Sequence, residues 1–247
     1  MDVREIRAAF VGSETIAAKV SAFRSDRIAK ILTGETPVKL GASPKIALHL
    51  LPLRAFSEPE ALDLRALSND WDPNFKPMGN VEQYSSPRFN LQGLFVSGTG
   101  SLDISQPRQF TGYIQLFRNG ALESVFLPRT HKKILSGPHL ETSLMTQGSR
   151  HIGFQDRLDL GAMFVALSVV SISGFEIVAS LNDPHSWHQV QTFEDDVVLA
   201  PEVLNEHKGA NLGSLLRPAL DTIWQACGWP GSQGYDGEGN WVGYQRG

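Results

Sequence analysis

The sequence predicts an α+β fold with a largely antiparallel sheet and helices packed on one face, and three observations carry that expectation. Apolar residues recur at helical spacing near the start, in Ile16, Val20, Phe23 and Ile31. In the middle, the β-rich runs Phe110 to Phe117 and Ala121 to Leu127 flank the turn dipeptide Asn119-Gly120. Near the end, Leu216, Leu220, Ile223 and Trp224 again repeat at helical spacing before Gly228 and Pro230. The 247 residues suffice for one large domain or two small ones. The expected division is a helical segment over 1–36, a single mixed domain over 37–230 and a Gly-rich tail over 231–247.

Two helices are expected first. Ile6 and Phe10 form an i,i+4 apolar pair, Gly12 breaks the run, and Ser13 is placed to cap a second helix that Gly34 and Pro37 stop. Arg24, Arg27 and Lys30 are assigned to the exposed side of this helix. They form a basic stripe whose ordinary reading is a solvated face.

Lys45 to Phe56 reads as a buried strand, with His49 as a satisfied core histidine. A short helix over 58–67 leads into a breaker-rich loop over 68–88, pinned by Trp71, Phe75 and Tyr84. Phe89 to Ser97 is the next strand, and an exposed connection with Gly98, Gly100, Asp103 and Pro107 joins it to the hairpin. A type I′ turn is expected at Asn119-Gly120, with positive φ at both residues.

Beyond Pro128 a cluster of Arg129, His131, Lys132 and Lys133 precedes a helix over about 138–160, weakened by Gly148 and Gly153. Such a cluster can hold an anion, although its ordinary role is a solvated loop. Met163 to Ser171 and Gly174 to Ser180 are read as a second strand pair joined near Ser173-Gly174. Asp195 to Ala200 is a last strand, and a helix from Asn211 or Ser214 to Cys227 closes the domain. Tyr235, Trp241 and Tyr244 suggest that part of the tail packs back.

Net charge is −4, and residues 182–247 hold three basic against nine acidic groups. A surface of that sign repels phosphate backbones. The lone Cys227 cannot form an internal disulfide and suits a reducing compartment. The opening residues lack the apolar core of a signal peptide, and the longest mostly apolar run, Leu160 to Ile172, is too short to span a bilayer. The expectation is a cytoplasmic protein without membrane contact.

Chemistry-bearing motifs are sparse. His185 and His188 lie three apart, but no cysteine pair or glutamate completes a zinc signature. No serine sits in a G-x-S-x-G elbow, Cys227 lies in an amphipathic helix beside tryptophans, and Asp195 and Asp196 point to opposite sides of a strand. Gly98-Thr99-Gly100 lacks both the third glycine and the lysine of a phosphate loop. No catalytic, metal or cofactor residue is assigned, and no cofactor is expected.

One resemblance adds to this reading. It rests on Val3-Arg4-Glu5-Ile6-Arg7-Ala8-Ala9-Phe10, Ser13-Glu14, Phe23-Arg24-Ser25-Asp26-Arg27, Leu48-His49-Leu50-Leu51-Pro52-Leu53, Gln115-Leu116-Phe117-Arg118-Asn119-Gly120, and Trp224-Gln225-Ala226-Cys227-Gly228-Trp229-Pro230 with Tyr235 and Asn240-Trp241. Together these resemble the region downstream of the AlbA_2 domain in bacterial proteins described as DNA-binding, Schlafen-type or ATP-binding. The resemblance implies a C-terminal companion domain, with the AlbA_2 segment ahead of residue 1, so no functional residue carries over.

Three functions follow as expectations. The first is a non-enzymatic companion module that contacts an AlbA_2-type domain or self-associates, with Trp187, Trp229 and Trp241 as contact residues. The second is an enzyme or small-molecule sensor with a site assembled from distant residues such as His49, His131, Asp183 and His188. The third is direct nucleic-acid binding through Arg24, Arg27, Lys30, Arg129, Lys132 and Lys133.

Overall fold

The chain opens on one helix where two were expected. In the computed structural model α1 (Val3–Thr33) runs on through Gly12 and Ser13. A lone glycine costs a helix only about 1 kcal/mol relative to alanine, too little by itself to end a long one. The expected stop is where it should be: Gly34 takes φ +80 and the Glu35 N–H closes on the Lys30 carbonyl at 2.8 Å, a Schellman end. The structure describes residues 3–57, 61–69, 72–100, 109–179 and 191–244, with side chains from Thr15 onward.

The elements that follow are β1 (Lys45–Pro52), α2 (Arg54–Ser57), α3 (Leu64–Asn69), β2 (Gln83–Tyr84), β3 (Arg88–Phe89), β4 (Gly93–Thr99), β5 (Phe110–Phe117), β6 (Leu122–Phe126), β7 (Thr130–His131) and β8 (Ile134–Ser136). After them come α4 (Gly137–Ser143), a π turn (Leu144–Gly148), α5 (Ser149–Leu158), β9 (Met163–Val170), β10 (Glu176–Val178), β11 (Val197–Leu199), β12 (Val203–Asn205) and α6 (Leu212–Gln225). Among the described residues nine strands form one sheet, in the order β11-β9-β1-β6-β5-β4-β2, with β12 also on β9 and β3 on β4. Every pairing in it is antiparallel. The α+β class and the antiparallel sheet are therefore as the sequence predicts.

The strand alternation sorts residues between two faces. Ile46, Leu48, Leu50, Ile114, Leu116, Leu122 and Phe126 face the layer made by α4, α5 and α6, in the main core with Leu140, Leu144, Leu216, Leu220 and Trp224. Ala47, Leu51, Tyr113, Phe117 and Val125 face the other way and meet Val20, Ile28 and Ile31 of α1. Helices thus cover both faces, α1 lying across the side the sequence left to solvent.

Two turns exchange roles relative to expectation. At the β5–β6 hairpin Gly120 has φ +92 while Asn119 stays at negative φ, and the Gly120 N–H donates to the Phe117 carbonyl at 2.9 Å. This is the three-residue loop of a type I turn followed by a left-handed glycine. Type I′ geometry appears instead between β7 and β8, where Lys132 and Lys133 have φ 47 and 64.

A second correction concerns β10. It does not pair with β9 but runs parallel to β8 in a separate three-stranded sheet with β7. Both edges of β9 are already taken, by β1 on one side and by β11 and β12 on the other.

The helix expected over 138–160 is present as α4, the π turn and α5, capped by Ser136, whose side chain accepts from the His139 N–H. α6 begins at its Asn211 cap as read. The Gly-rich end folds back, with Tyr235 bridged to Trp241 and both rings, with Tyr244, packed on the core. The connection over 101–108, Trp71 and the segment 180–190 lie outside the described residues. Among the described residues no helix is long and apolar enough to cross a membrane.

Candidate functional site

Three polar constellations stand out, two closed and one open. The first lies between α1 and the sheet. Arg27 grips Glu123 with both arms of its guanidinium, Nε to Oε2 and Nη2 to Oε1, each at 2.9 Å. Tyr113 donates its hydroxyl to Oε1 at 2.8 Å, and His49, the direct cross-strand partner of Glu123, donates Nε2–H to Oε2 at 3.0 Å. Burial alone would raise the Glu123 carboxyl, yet the bonds from His49 and Arg27 outweigh it and hold the group at about 2. Tyr113 is driven well above its ordinary value by burial and by the neighbouring carboxylate. All four side chains are buried, so this is an internal clasp that fastens α1.

Arg24 completes the fastening one turn earlier, with Nη2 on the Leu167 carbonyl at 2.7 Å and Nε on Ser168 Oγ at 3.2 Å. The assignment of Arg24 and Arg27 to an exposed stripe is therefore corrected: both are buried. Their spacing shows why, since Val20, Arg24, Arg27, Ile28 and Ile31 occupy one helical face. Lys30, beyond that face, pairs with Asp26 at 2.7 Å.

The second constellation centres on buried Glu141 of α4. It accepts from Trp224 Nε1 at 2.7 Å, Ser232 Oγ at 2.6 Å and Trp241 Nε1 at 3.2 Å. Burial raises this carboxyl above its ordinary value, and its neutral donors only partly counter that. Gly234 passes so close that a Cβ would lie 2.5 Å from Glu141 Oε2. The site is closed, and it pins the C-terminal segment to the helical layer.

The third constellation is open. Residues 74–84 pass over α5 and the π turn, leaving a cavity of about 220 Å³ lined by Asn74, Lys76, Gly79, Tyr84, Gln147, Arg150 and His151 among others. Its walls are pinned from the helix. Gln147 accepts from the Gly79 N–H at 2.5 Å and donates back to the Gly79 carbonyl at 3.3 Å. One turn later His151 Nε2 bonds the Lys76 carbonyl at 2.8 Å. Burial lowers His151 to about 4, so the ring is neutral and Nε2 carries the proton. Lys76 Nζ stands 4.6 Å over the Tyr84 ring, and among the described residues no carboxylate lines the cavity.

Among the described residues, the remaining expected site residues are not gathered. His49 is buried under α1, whereas His131 is exposed on β7 of the smaller sheet; Asp183 and His188 lie outside the described residues. Trp187 does too. Trp229 donates to the Ile177 carbonyl at 3.0 Å and meets Trp224 edge-on at 5.4 Å, and Trp241 is spent on Glu141, so both serve internal packing. Of the basic set, Arg129 is exposed and donates to Asn80 at 3.0 Å, while Lys132 and Lys133 are exposed at the turn of the smaller sheet. Cys227 is buried and its thiol pushed up to about 11 by burial, an inert setting.

Sequence reasoning missed Lys76, Tyr84 and Arg150. A signal existed: Gln147, Arg150 and His151 fall three and four apart on an expected helix, which places them on one face. Their partners in the loop had no period to betray them. No family model, curated protein or solved structure matches this chain.

Proposed function

We propose that the chain is a non-enzymatic interaction module, working in the cytoplasm as the companion of an AlbA_2-type nucleic-acid-binding domain or by self-association. One observation carries the reading: large exposed apolar side chains gather along one margin of the sheet. Leu91 is 92% exposed, Phe89 53% and Tyr84 46%, and they sit on or beside β2 and β3, the two-residue strands that border β4. A sheet edge that presents apolar side chains is a template for another chain. The closed state of the Glu123 and Glu141 clusters supports a structural use of the buried acids.

The resemblance to AlbA_2-associated regions supports the companion role. Nucleic acid would then be met indirectly, through the neighbouring domain. Size-exclusion chromatography with light scattering, on this chain alone and with an AlbA_2-bearing relative, should show association that Phe89→Glu with Leu91→Glu abolishes. A chain that stays monomeric and never engages the relative overturns the proposal.

A further inference from the structure

We infer that the loop over 74–88 carries a binding site for an organic phosphate with a planar ring, of the size of a nucleoside monophosphate, spread over two adjoining pockets that share Tyr84. This goes beyond the interaction reading: the two share Tyr84, but this one rests on Lys76, Arg150 and Arg88. The first pocket, about 220 Å³, presents Lys76 and Arg150. Neither cation has a carboxylate partner among the described residues. Lys76 is held only against the face of Tyr84, a contact that leaves its three N–H donors available to an acceptor.

The second pocket, about 180 Å³, contains Arg88 and Phe110 with the polar side chains of Gln83, Ser85, Ser97 and Thr99. Among the described residues that line it, none is acidic. Among the described residues the two pockets are lined by three cations, Lys76, Arg150 and Arg88, and by no acidic side chain, in a chain of net charge −4. Such a field selects an anion. A phosphate suits the Lys76 and Arg150 side, because ammonium and guanidinium donors make charge-assisted bonds to its oxygens. A planar ring suits the other side, where aromatic surface and neutral donors and acceptors meet.

The site is also built before any ligand arrives. The Gln147 and His151 bonds fix the backbone of Gly79 and Lys76, and Gly79 itself, at φ +89, lies where a Cβ would strike Phe126 at 2.8 Å. Loop ordering therefore need not be repeated on binding. Burial keeps the His151 ring neutral, so it adds no charge to the loop wall behind the cations.

The test is calorimetric titration of the full chain with AMP, ribose 5-phosphate, inorganic phosphate and adenosine. AMP should bind best, with sub-millimolar affinity that falls about tenfold with Lys76→Met and again with Arg150→Met, the size expected for losing a charge-assisted bond. Lys132→Met with Lys133→Met should leave it unchanged, and circular dichroism establishes that each variant is folded. No AMP binding at millimolar concentration, equal affinity for AMP and ribose 5-phosphate, or binding indifferent to Lys76 and Arg150 would each overturn the inference. Failure here leaves the Phe89 and Leu91 association untouched, so the two ideas fall separately.

Discussion

The fold buries two glutamates, one between α1 and the sheet and one between the helical layer and the C-terminal segment, and the two are stabilised in opposite ways. Beneath α1, Glu123 meets a guanidinium, an imidazole and a phenol, and the carboxyl is held at about 2. Within the helical layer, Glu141 of α4 meets two indoles and a hydroxyl, and its carboxyl rises. Burial penalises both carboxylates alike, so the difference lies in the partners: a cation at bonding distance outweighs desolvation, whereas neutral donors offset it only in part. The contrast also separates two kinds of fastening. A charged clasp secures the N-terminal helix, and a neutral one secures the C-terminal segment.

The largest expected effect breaks the charged clasp. Glu123→Ala should cost about 3–5 kcal/mol in urea unfolding, because it leaves the Arg27 guanidinium buried and unpaired. Replacing both members, Arg27→Met with Glu123→Leu, should recover most of that loss. If the single variant costs no more than a surface substitution, the ranking of the two clasps is wrong.

Acid should dissect the clusters next. The buried His151 has its value depressed to about 4 from 6.5, so its contribution is complete above pH 6.5 and is lost as pH falls towards 4. Glu123, depressed to about 2 from 4.5, contributes fully above pH 4.5 and loses its share as pH falls towards 2. Each window corresponds to a change on the order of 3 kcal/mol. Glu141, being raised, acts in the opposite sense: its contribution is present below pH 4.5 and fades as pH rises through its folded value. Stability measured by denaturant between pH 7 and 2 should fall in these two steps, and His151→Gln should flatten the first alone.

The neutral clasp should respond less. Glu141→Gln turns one acceptor into a donor facing an indole N–H or the Ser232 hydroxyl, at a cost of about 1–3 kcal/mol. Hydrogen exchange should then quicken over residues 231–244 with little change in α1. Smallest of all, Lys30→Ala removes an i,i+4 ion pair with exposed Asp26 and should change stability by no more than about 0.5 kcal/mol. Arg27 and Lys30 are three residues apart on one helix, so this pair of variants sharpens the comparison between buried and exposed charge.

Much of the fold was legible because it is written in local pattern. The β5–β6 hairpin, the strand around His49, the helix stop at Gly34 and the cap at Asn211 all depend on residues within a few positions of one another. Legibility failed where charge was allowed to overrule spacing. Arg24 and Arg27 share the helical face of Val20 and Ile31, but a guanidinium is placed inside only when an acceptor awaits it, and Glu123 lies 96 residues away. The open pocket was illegible for a similar reason, since Lys76 and Arg150 are joined through a loop with no period.

By itself, then, the sequence determined the class of fold, the hairpin and most element limits, all of which follow from short-range sterics and from the periodicity of apolar side chains. Tertiary structure alone decided that α1 covers the second face, that β10 leaves β9 for β8, and that loop and helix meet to form a cationic pocket. Those outcomes depend on which distant surfaces can bury one another while most buried donors and acceptors find partners. Such a balance is struck between residues far apart along the chain and leaves no mark in any window of it.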